Sequence, residues 1–229
     1  MRKRNKIKES GKKAVVLLSG GIDSVTVLYY ALSKGYESTA LIFDYGQRHR
    51  KELLAAKKIA RKRKIKHYVV KTSFPWANSS LTNKDISVPC SRNLKRGIPL
   101  TYVAGRNIVF LSYAFSLAES IGAKSVFIGA HTQDYSGYPD CRPEFLGSFE
   151  KAACRGMKEK GIKLKAPLVR KSKKDIIKIG LELGVPFTDT WSCYEGRMSP
   201  CRKCDSCRFR IQAFRSLGLI DPLLKNISN

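Results

Sequence analysis

The chain has 229 residues, of which 43% are hydrophobic and 10% aromatic, and this composition is typical of a folded protein rather than a disordered one. No apolar run reaches the roughly 20 residues of a membrane-spanning helix, and the apolar run behind the basic start is too short for a signal peptide. Lys and Arg number 44 against 18 Asp and Glu, so the net charge is +26. These values predict a cytoplasmic protein with one sizeable core and no membrane partner, and leave a polyanionic partner open.

Strand and helix patterns alternate along the chain, which predicts an α/β fold with a mainly parallel sheet. The apolar runs that indicate strands are 13–19, 38–46, 66–73, 123–130 and 163–169. The amphipathic or longer apolar runs that indicate helices are 23–35, 48–64, 106–122, 143–157, 172–183 and 208–217. Residues 74–104 break the alternation with three prolines, and a loop of that length predicts a lid or a binding loop.

The segment LLSGGIDSV at 17–25 joins the first predicted strand to the first predicted helix. Ligands of open parallel sheets bind at this edge. Gly20 and Gly21 let the backbone approach an anion, and Asp23 and Ser24 are placed to cap the following helix. The segment is neither a Walker loop nor a G-x-G-x-x-G motif. It predicts a phosphate site of another type, the alternative being a plain Gly-Gly turn.

Four of the seven cysteines lie close together near the C-terminus, at Cys193, Cys201, Cys204 and Cys207. Four thiolates are the number that a closed tetrahedral zinc site needs. The C-x2-C-x2-C spacing also occurs in iron–sulfur proteins, but their fourth ligand follows after three residues, where this chain has Ile211. A disulfide is disfavoured in a reducing compartment. The cluster therefore predicts a structural zinc site, with an iron–sulfur cluster as the alternative.

Three polar segments, 43–49, 101–107 and 129–145, are expected at the same sheet edge as the glycine loop. Carboxylates accept hydrogen bonds from ring N–H and amino groups, and Arg pairs with carboxylates, so such a site suits a planar heteroaromatic acid. For His49 or His131 taken alone, a structural role is the favoured alternative. The candidate substrate-binding residues are Gln47, Arg48, His49, Arg106, Asn107, Asp134, Tyr135, Tyr138, Asp140 and Arg142.

In combination, the segments SGGIDS, DYGQRH, TYVAGRN and DYSGYPDCR with the cysteine cluster resemble the 7-cyano-7-deazaguanine synthase family over about residues 13–222. The glycine loop alone resembles the pyrophosphate-binding (PP) loop of the wider ATP pyrophosphatase group. The resemblance implies a Rossmann-like open parallel sheet of the adenine nucleotide alpha-hydrolase type with a small C-terminal zinc-binding module. It divides the chain into a basic arm at 1–12, an ATP-binding domain at 13–190, and a zinc module with the terminal helix at 191–229.

The resemblance also implies an activity and its site. The expected enzyme is an ATP-dependent C–N ligase that converts 7-carboxy-7-deazaguanine and ammonia to 7-cyano-7-deazaguanine, through an adenylated carboxylate and then an amide. The implied cofactors are ATP with Mg²⁺ and one structural Zn²⁺ per chain. A homodimer is favoured, ammonia comes from solution, and no stable nucleic-acid partner is required. The implied ATP contacts are Leu18, Ser19, Gly20, Gly21, Ile22, Asp23, Ser24, Val25, Thr26, Val27 and Leu28.

The expected catalytic residues are Asp23 and Ser24 in the loop, with Lys171 and Lys173 as candidates for phosphate neutralisation. A solvated helix start is the alternative for the two lysines. Two other classes of function stay open. An adenylating enzyme could act directly on tRNA or on another carboxylate, which would explain the charge but would not require DYSGYPDCR. A basic zinc protein that binds nucleic acid is disfavoured by the intact glycine loop.

Overall fold

A computed structural model of the chain describes residues 11–90, 98–131 and 138–224. Its strands are β1 (Lys13–Leu17), β2 (Glu37–Asp44), β3 (His67–Lys71), β4 (Ser125–Phe127) and β5 (Lys163–Lys165). Its helices are α1 (Ile22–Ser33), α2 (Lys51–Lys62), α3 (Arg106–Ile121), α4 (Pro143–Gly156), α5 (Lys173–Glu182) and α6 (Asp205–Arg215), with 3₁₀ turns at Pro139–Cys141 and Phe187–Asp189.

The described strands form one parallel sheet in the order β3-β2-β1-β4-β5. The chain first builds outward from β1 to β3 and then crosses to the other side of β1 to add β4. The strand order therefore reverses between β1 and β4, which is where open α/β sheets bind ligands. The predicted α/β fold with a parallel sheet is confirmed.

The β1 strand lies at the centre of the sheet and has no solvent-exposed face. Its residues Val15 and Val16 are completely buried. Because successive side chains of a strand point to opposite faces, Val15 packs towards α3 and α4, and Val16 packs towards α1, α2, α5 and α6. A strand that is buried on both faces needs a continuous apolar run, and KAVVL supplies it.

The structure corrects the bounds of several predicted elements. The fourth and fifth strands are shorter than predicted and end at Phe127 and Lys165. The N–H of Ile128 still donates to the carbonyl oxygen of Lys165, and Ile128–Ala130 line a cavity beyond the strand end. The last helix begins at Asp205 rather than at 208, because Cys204 is extended and ends the preceding turn. Cys207 therefore lies in the first turn of α6. The parts of the long loop that the structure describes, 74–90 and 98–104, contain neither helix nor strand.

The C-terminal segment is attached to the core by a buried ion pair. Arg210 of α6 donates through Nε to Asp221 Oδ2 at 2.7 Å and through Nη2 to Asp221 Oδ1 at 2.9 Å. The same guanidinium donates to Thr190 Oγ1 and to the carbonyl oxygen of Phe187. The ring of Phe214, one turn further on, packs edge-on against the ring of Phe187. These contacts hold α6 on the core.

Of the helices in the described part of the chain, none combines the length and the apolar character that crossing a membrane requires. Residues 1–10 of the predicted basic arm lie outside the described residues, and the domain boundaries at 12 and 190 stay predictions.

The Asp221→Asn substitution should lower the free energy of unfolding by about 3 kcal/mol, because it leaves the Arg210 charge buried without its counter-charge. The side chains of this pair are only 4% and 2% exposed. Glu159→Gln is the matched control, since its ion pair with Lys124 is exposed and should contribute less than about 1 kcal/mol. Urea unfolding of the three proteins measures both changes, and equal losses would contradict the assignment of Arg210 as a buried anchor.

Candidate active site

A cavity of about 280 Å³ opens at the carboxyl edge of the sheet, beside the point where the strand order reverses. It is lined by the loop after β1, the segments that follow β2 and β4, the start of α3, and the cysteine segment. Five parts of the chain that lie far apart in the sequence thus meet around one space. An open cavity of this kind, lined by both apolar and polar side chains, is typical of small-molecule binding.

The loop between β1 and α1 is shaped by the hydroxyl group of Ser24. Its Oγ accepts hydrogen bonds from the backbone N–H groups of Ser19 and Gly20, each at 3.2 Å, and donates to the carbonyl oxygen of Gly21. The helix begins at Ile22 with Gly21 as its N-cap and without a side-chain cap. The expected capping by Asp23 and Ser24 is therefore wrong, since the Ser24 hydroxyl is used within the loop.

Gly20 permits a close approach between this loop and α2. It has a φ of +89°, and a Cβ atom there would lie 2.4 Å from the carbonyl oxygen of Glu52 and 2.7 Å from the amide nitrogen of Ala56. Only glycine fits this contact without a shift of the backbone. The carbonyl oxygen of Gly20 accepts a hydrogen bond from the backbone N–H of Trp191 at 2.9 Å.

The eleven predicted ATP contacts divide into two sets. Leu18, Ser19, Gly21, Ile22, Asp23 and Ser24 line the cavity, and Gly20 lies between them with its backbone packed on α2. The side chains of Val25, Thr26, Val27 and Leu28 are completely buried in the core and do not line the cavity. A role in ATP binding for this second set would have to be indirect, through the position of α1.

Asp23, Lys173 and His131 form a charged cluster at the loop end of the cavity. The Lys173 ammonium lies 2.7 Å and 2.8 Å from the two carboxylate oxygens of Asp23, and 2.9 Å from Nε2 of His131. Burial by itself would raise the pKa of Asp23, but the charge of Lys173 and the contact with His131 outweigh it and hold this pKa well below its usual range. Lys173 is thus placed beside the loop, whereas Lys171 is exposed and does not line the cavity.

Three candidates after β2 are occupied by contacts within the protein. The side-chain amide of Gln47 accepts from the N–H of Tyr45 and donates to the carbonyl oxygen of Phe43. Arg48 donates to the carbonyl oxygen of Ile86 at 2.9 Å. His49 accepts from the N–H of the second residue after it and packs against the backbone of the cysteine segment. All three residues line the cavity, but their side chains are engaged in contacts within the protein and so shape the cavity wall.

Arg106, at the start of α3, is another residue of the cavity wall. Its Nη1 donates to the hydroxyl group of Tyr45 at 3.3 Å, and the guanidinium lies over the Tyr45 ring. Asn107 also lines the cavity, but its polar groups are engaged within the protein. Its backbone N–H donates to Asp140 Oδ2 at 2.9 Å, and its side chain donates to Cys141 Sγ. Asp140 is buried and does not line the cavity, so its carboxylate positions the start of α3.

The remaining candidates fall at different places. Tyr138 lines the cavity, and its hydroxyl group lies 2.6 Å from Thr101 Oγ1. Arg142 is exposed at the start of α4 and is not part of the cavity wall. Asp134 and Tyr135 lie outside the described residues.

Glu52 is a lining residue that the motifs did not indicate. It lies half-buried in the first turn of α2, in a segment that the sequence presents as a charged surface helix. Burial raises its pKa from 4.5 to about 7; the charge of Arg106 opposes this shift, and Cys193 adds to it. A perturbed carboxyl in a cavity marks a candidate functional group. Nothing in the sequence around Glu52 indicates this position, because it depends on the contact between α2 and the glycine loop.

The four predicted metal ligands lie together. The sulfur atoms of Cys193, Cys201, Cys204 and Cys207 are all within 4.8 Å of one another, and three of these side chains are buried. The backbone N–H of Cys201 donates to Cys193 Sγ, and that of Cys204 donates to Cys201 Sγ, each at 3.3 Å. Such donors favour thiolates, and four convergent thiolates fit a single metal ion. This cluster can bind a metal.

The cysteine segment is also part of the cavity wall. Trp191 and Tyr194, which flank the first cysteine, line the space with Ser206 of α6. Trp191 Nε1 donates to the carbonyl oxygen of Cys193 at 2.9 Å, while its backbone N–H reaches the glycine loop. A metal bound by the cysteines would therefore stabilise one wall of the cavity.

Comparison with known proteins gives concordant results. The family model described as queuosine biosynthesis protein QueC matches residues 13–218. The chain is 49% identical over 219 residues to a protein of Clostridium kluyveri named 7-cyano-7-deazaguanine synthase, an alignment that covers 93% of this chain and 97% of that one. Proteins of the same name from Microcystis aeruginosa and Thermoplasma acidophilum are 50% and 49% identical, with coverage of 94% and 97%, and of 93% and 91%.

Among solved structures, NMN synthetase from Francisella tularensis superposes with a TM-score of 0.52 at 17% sequence identity, over 91% of this chain and 78% of that one. At this level of identity, the likeness concerns the fold alone.

The raised pKa of Glu52 predicts a pH-dependent effect of Glu52→Gln on stability. Between about pH 4.5 and pH 7 the unfolded chain has released this proton while the folded chain retains it, so the stability of the unsubstituted protein falls as pH rises. The Glu52→Gln protein has no ionisable group at this position, so its stability does not fall for this reason as pH rises. Its advantage in unfolding free energy should therefore grow from near zero at pH 5 to about 1 to 3 kcal/mol at pH 8.

Urea unfolding at several pH values measures this difference. Glu182→Gln removes an exposed carboxyl outside the cavity and is the control. A difference that stays constant with pH, or that shrinks as pH rises, would show that Glu52 is not buried in the way described.

Proposed function

Because the chain belongs to the queuosine biosynthesis protein QueC family, we propose that it is a 7-cyano-7-deazaguanine synthase, which converts 7-carboxy-7-deazaguanine, ammonia and ATP to the nitrile. The observation that supports this most directly is that the Ser-Gly-Gly loop and Lys173 line the same cavity as several aromatic side chains. The loop and the lysine suit phosphate groups and the aromatic side chains suit a flat ring, as the reaction requires.

The first step is the transfer of the AMP group of ATP to the substrate carboxylate, with release of pyrophosphate. Ammonia then adds to the acyl carbon and displaces AMP, which gives the amide. A second activation by ATP then makes the amide oxygen a leaving group; it departs bonded to the activating phosphoryl group, and loss of the two N–H protons gives the nitrile. The protein stabilises negative charge on the phosphates and holds the reacting groups together, and it needs no covalent nucleophile for this.

In this proposal, the residues around the glycine loop bind the nucleotide. The free N–H groups at the start of α1 and the ammonium group of Lys173 face the phosphates, as at other helix N-termini that bind anions. Ser24 maintains the loop conformation. When ATP is bound, Mg²⁺ would neutralise phosphate charge, and Asp23 is the residue whose carboxylate would contact it. Arg106 binds the substrate.

The further assignments are supported more indirectly. We infer that ammonia is taken from solution and that the enzyme works in the cytoplasm as a homodimer. The exposed side chains of Trp76, Ile98 and Leu100 are apolar surface that a second copy could cover.

The proposed reaction is tested by incubating the protein with 7-carboxy-7-deazaguanine, ATP, Mg²⁺ and ammonium, and analysing the product by mass spectrometry. We expect the nitrile, with the amide as an intermediate at early times. Accumulation of the amide alone would contradict nitrile synthesis, and a strict requirement for tRNA would favour an enzyme that acts directly on tRNA.

Lys173→Met tests the role of this lysine in the same assay. Removing the ammonium group should lower kcat/KM by about 100-fold or more, because a charge that stabilises the phosphates is lost. Lys174→Met removes an equal charge from the exposed neighbouring position and should leave the rate unchanged.

We also propose that the bound metal is zinc and that its role is structural. Cys204→Ser should abolish zinc binding and lower the unfolding midpoint, because the buried C-terminal segment then loses a ligand from a closed site. Cys90→Ser, which changes an exposed cysteine outside the cluster, should retain one zinc ion per chain. Metal analysis and thermal unfolding measure both effects; iron in the purified protein, or full stability after metal loss, would contradict the proposal.

A further inference from the structure

The charged groups of the cavity wall form two separate sets. Burial alone would raise the pKa of Asp23, but Lys173 and His131, which surround it at the glycine loop, lower this pKa. The pKa of Glu52 is instead raised by burial and lowered by the charge of Arg106, which is hydrogen-bonded to Tyr45. The pKa of Tyr45 is raised by burial, and the charges of both Arg106 and Glu52 also act on it. Glu52 and Arg106 thus line the cavity as a set separate from the Asp23–Lys173–His131 cluster, although the backbone of α2 at Glu52 packs on the glycine loop.

Glu52 differs from the other carboxylates near the cavity in having no committed partner. The Asp23 carboxylate is bonded to Lys173, and Asp140 accepts the N–H of Asn107. Within residues 11–90, 98–131 and 138–224, the carboxyl group of Glu52 makes no hydrogen bond. A half-buried carboxyl group that lines a cavity and has no protein donor is available to a ligand that supplies the donors.

Part of the cavity wall is aromatic. The rings of Phe43 and Phe110 are stacked on each other with centroids 3.8 Å apart, and both line the cavity together with Tyr45 and Tyr138. A planar heteroaromatic ring can pack against such a wall. Its edge would then face a carboxylate that lacks hydrogen-bond donors.

Two purine-type rings take part in the proposed reaction, and both have N–H donors at an edge. A guanine-type ring has a ring N–H next to an exocyclic amino group, and these two parallel donors match the two oxygens of one carboxylate. Adenine has only its amino group on the corresponding edge. The match in number and spacing favours the deazaguanine over the nucleotide.

We propose that Glu52 accepts hydrogen bonds from the ring N–H and the 2-amino group of the deazaguanine, and so selects the 2-amino ring. This assignment rests on the proposed function. Glu52 is then a specificity-determining residue, and Arg106 favours its ionised form.

The test measures binding by calorimetry on the zinc-loaded protein with three ligands: 7-carboxy-7-deazaguanine, its analogue without the 2-amino group, and a non-cleavable ATP analogue. The unsubstituted protein should bind the 2-amino compound about tenfold or more tightly than the analogue, because a site built for a donor leaves its acceptor unpaired when the donor is missing. Glu52→Gln turns one acceptor into a donor, so this preference should fall below about threefold. Its affinity for the ATP analogue should be unchanged.

Two further variants complete the design. Glu52→Asp keeps both acceptor oxygens and should retain the preference for the 2-amino compound with weaker overall affinity. Glu182→Gln removes an exposed carboxyl and should behave as the unsubstituted protein. Retention of the full preference in Glu52→Gln would overturn the proposal, as would a selective loss of affinity for the ATP analogue. If the unsubstituted protein binds neither deazapurine, the proposed function itself fails.

Discussion

The contact at Gly20 is the constraint on which the candidate site depends. Its backbone, in a conformation that favours glycine, packs directly on the backbone of α2 and accepts a hydrogen bond from Trp191. This one residue therefore fixes the distance from the loop to α2 and from the loop to the cysteine segment. The wall positions of Glu52 and Trp191 follow from it. A side chain at this position would separate three parts of the site at once.

The fold was largely predictable because it rests on strong and continuous patterns. The apolar run of β1 and the alternation of strands and helices left few other arrangements, and right-handed crossovers then place the loops at one edge. The spacing of the cysteines in the sequence likewise predicted that they form a cluster. Ends of elements were less predictable. The start of α6 depends on the backbone of Cys204, which tertiary contacts determine. The strand β4 ends at Phe127, although the composition of Ile128–Ala130 also suits a strand.

Individual site residues could be predicted only in part. Polar side chains in the motifs were all plausible ligand contacts, yet Gln47 and Asp140 satisfy backbone groups of their own loops. The sequence cannot separate these uses, because both require the same donors and acceptors. Glu52 shows the converse. It occurs among lysines in a helix with a solvated face, and only the close approach of α2 to the glycine loop places it in the cavity.

The two hydrogen bonds of Trp191 connect the cysteine cluster to the glycine loop, the proposed nucleotide site, through a single side chain and its own backbone. Binding at two sites that share a structural element is thermodynamically reciprocal. To the extent that a metal on the cysteines strengthens nucleotide binding, a bound nucleotide must strengthen retention of the metal by the same factor. A chelator or an oxidant of the cysteines would thus act on the nucleotide site without entering it, and the enzyme working on its substrates would be the form most resistant to both.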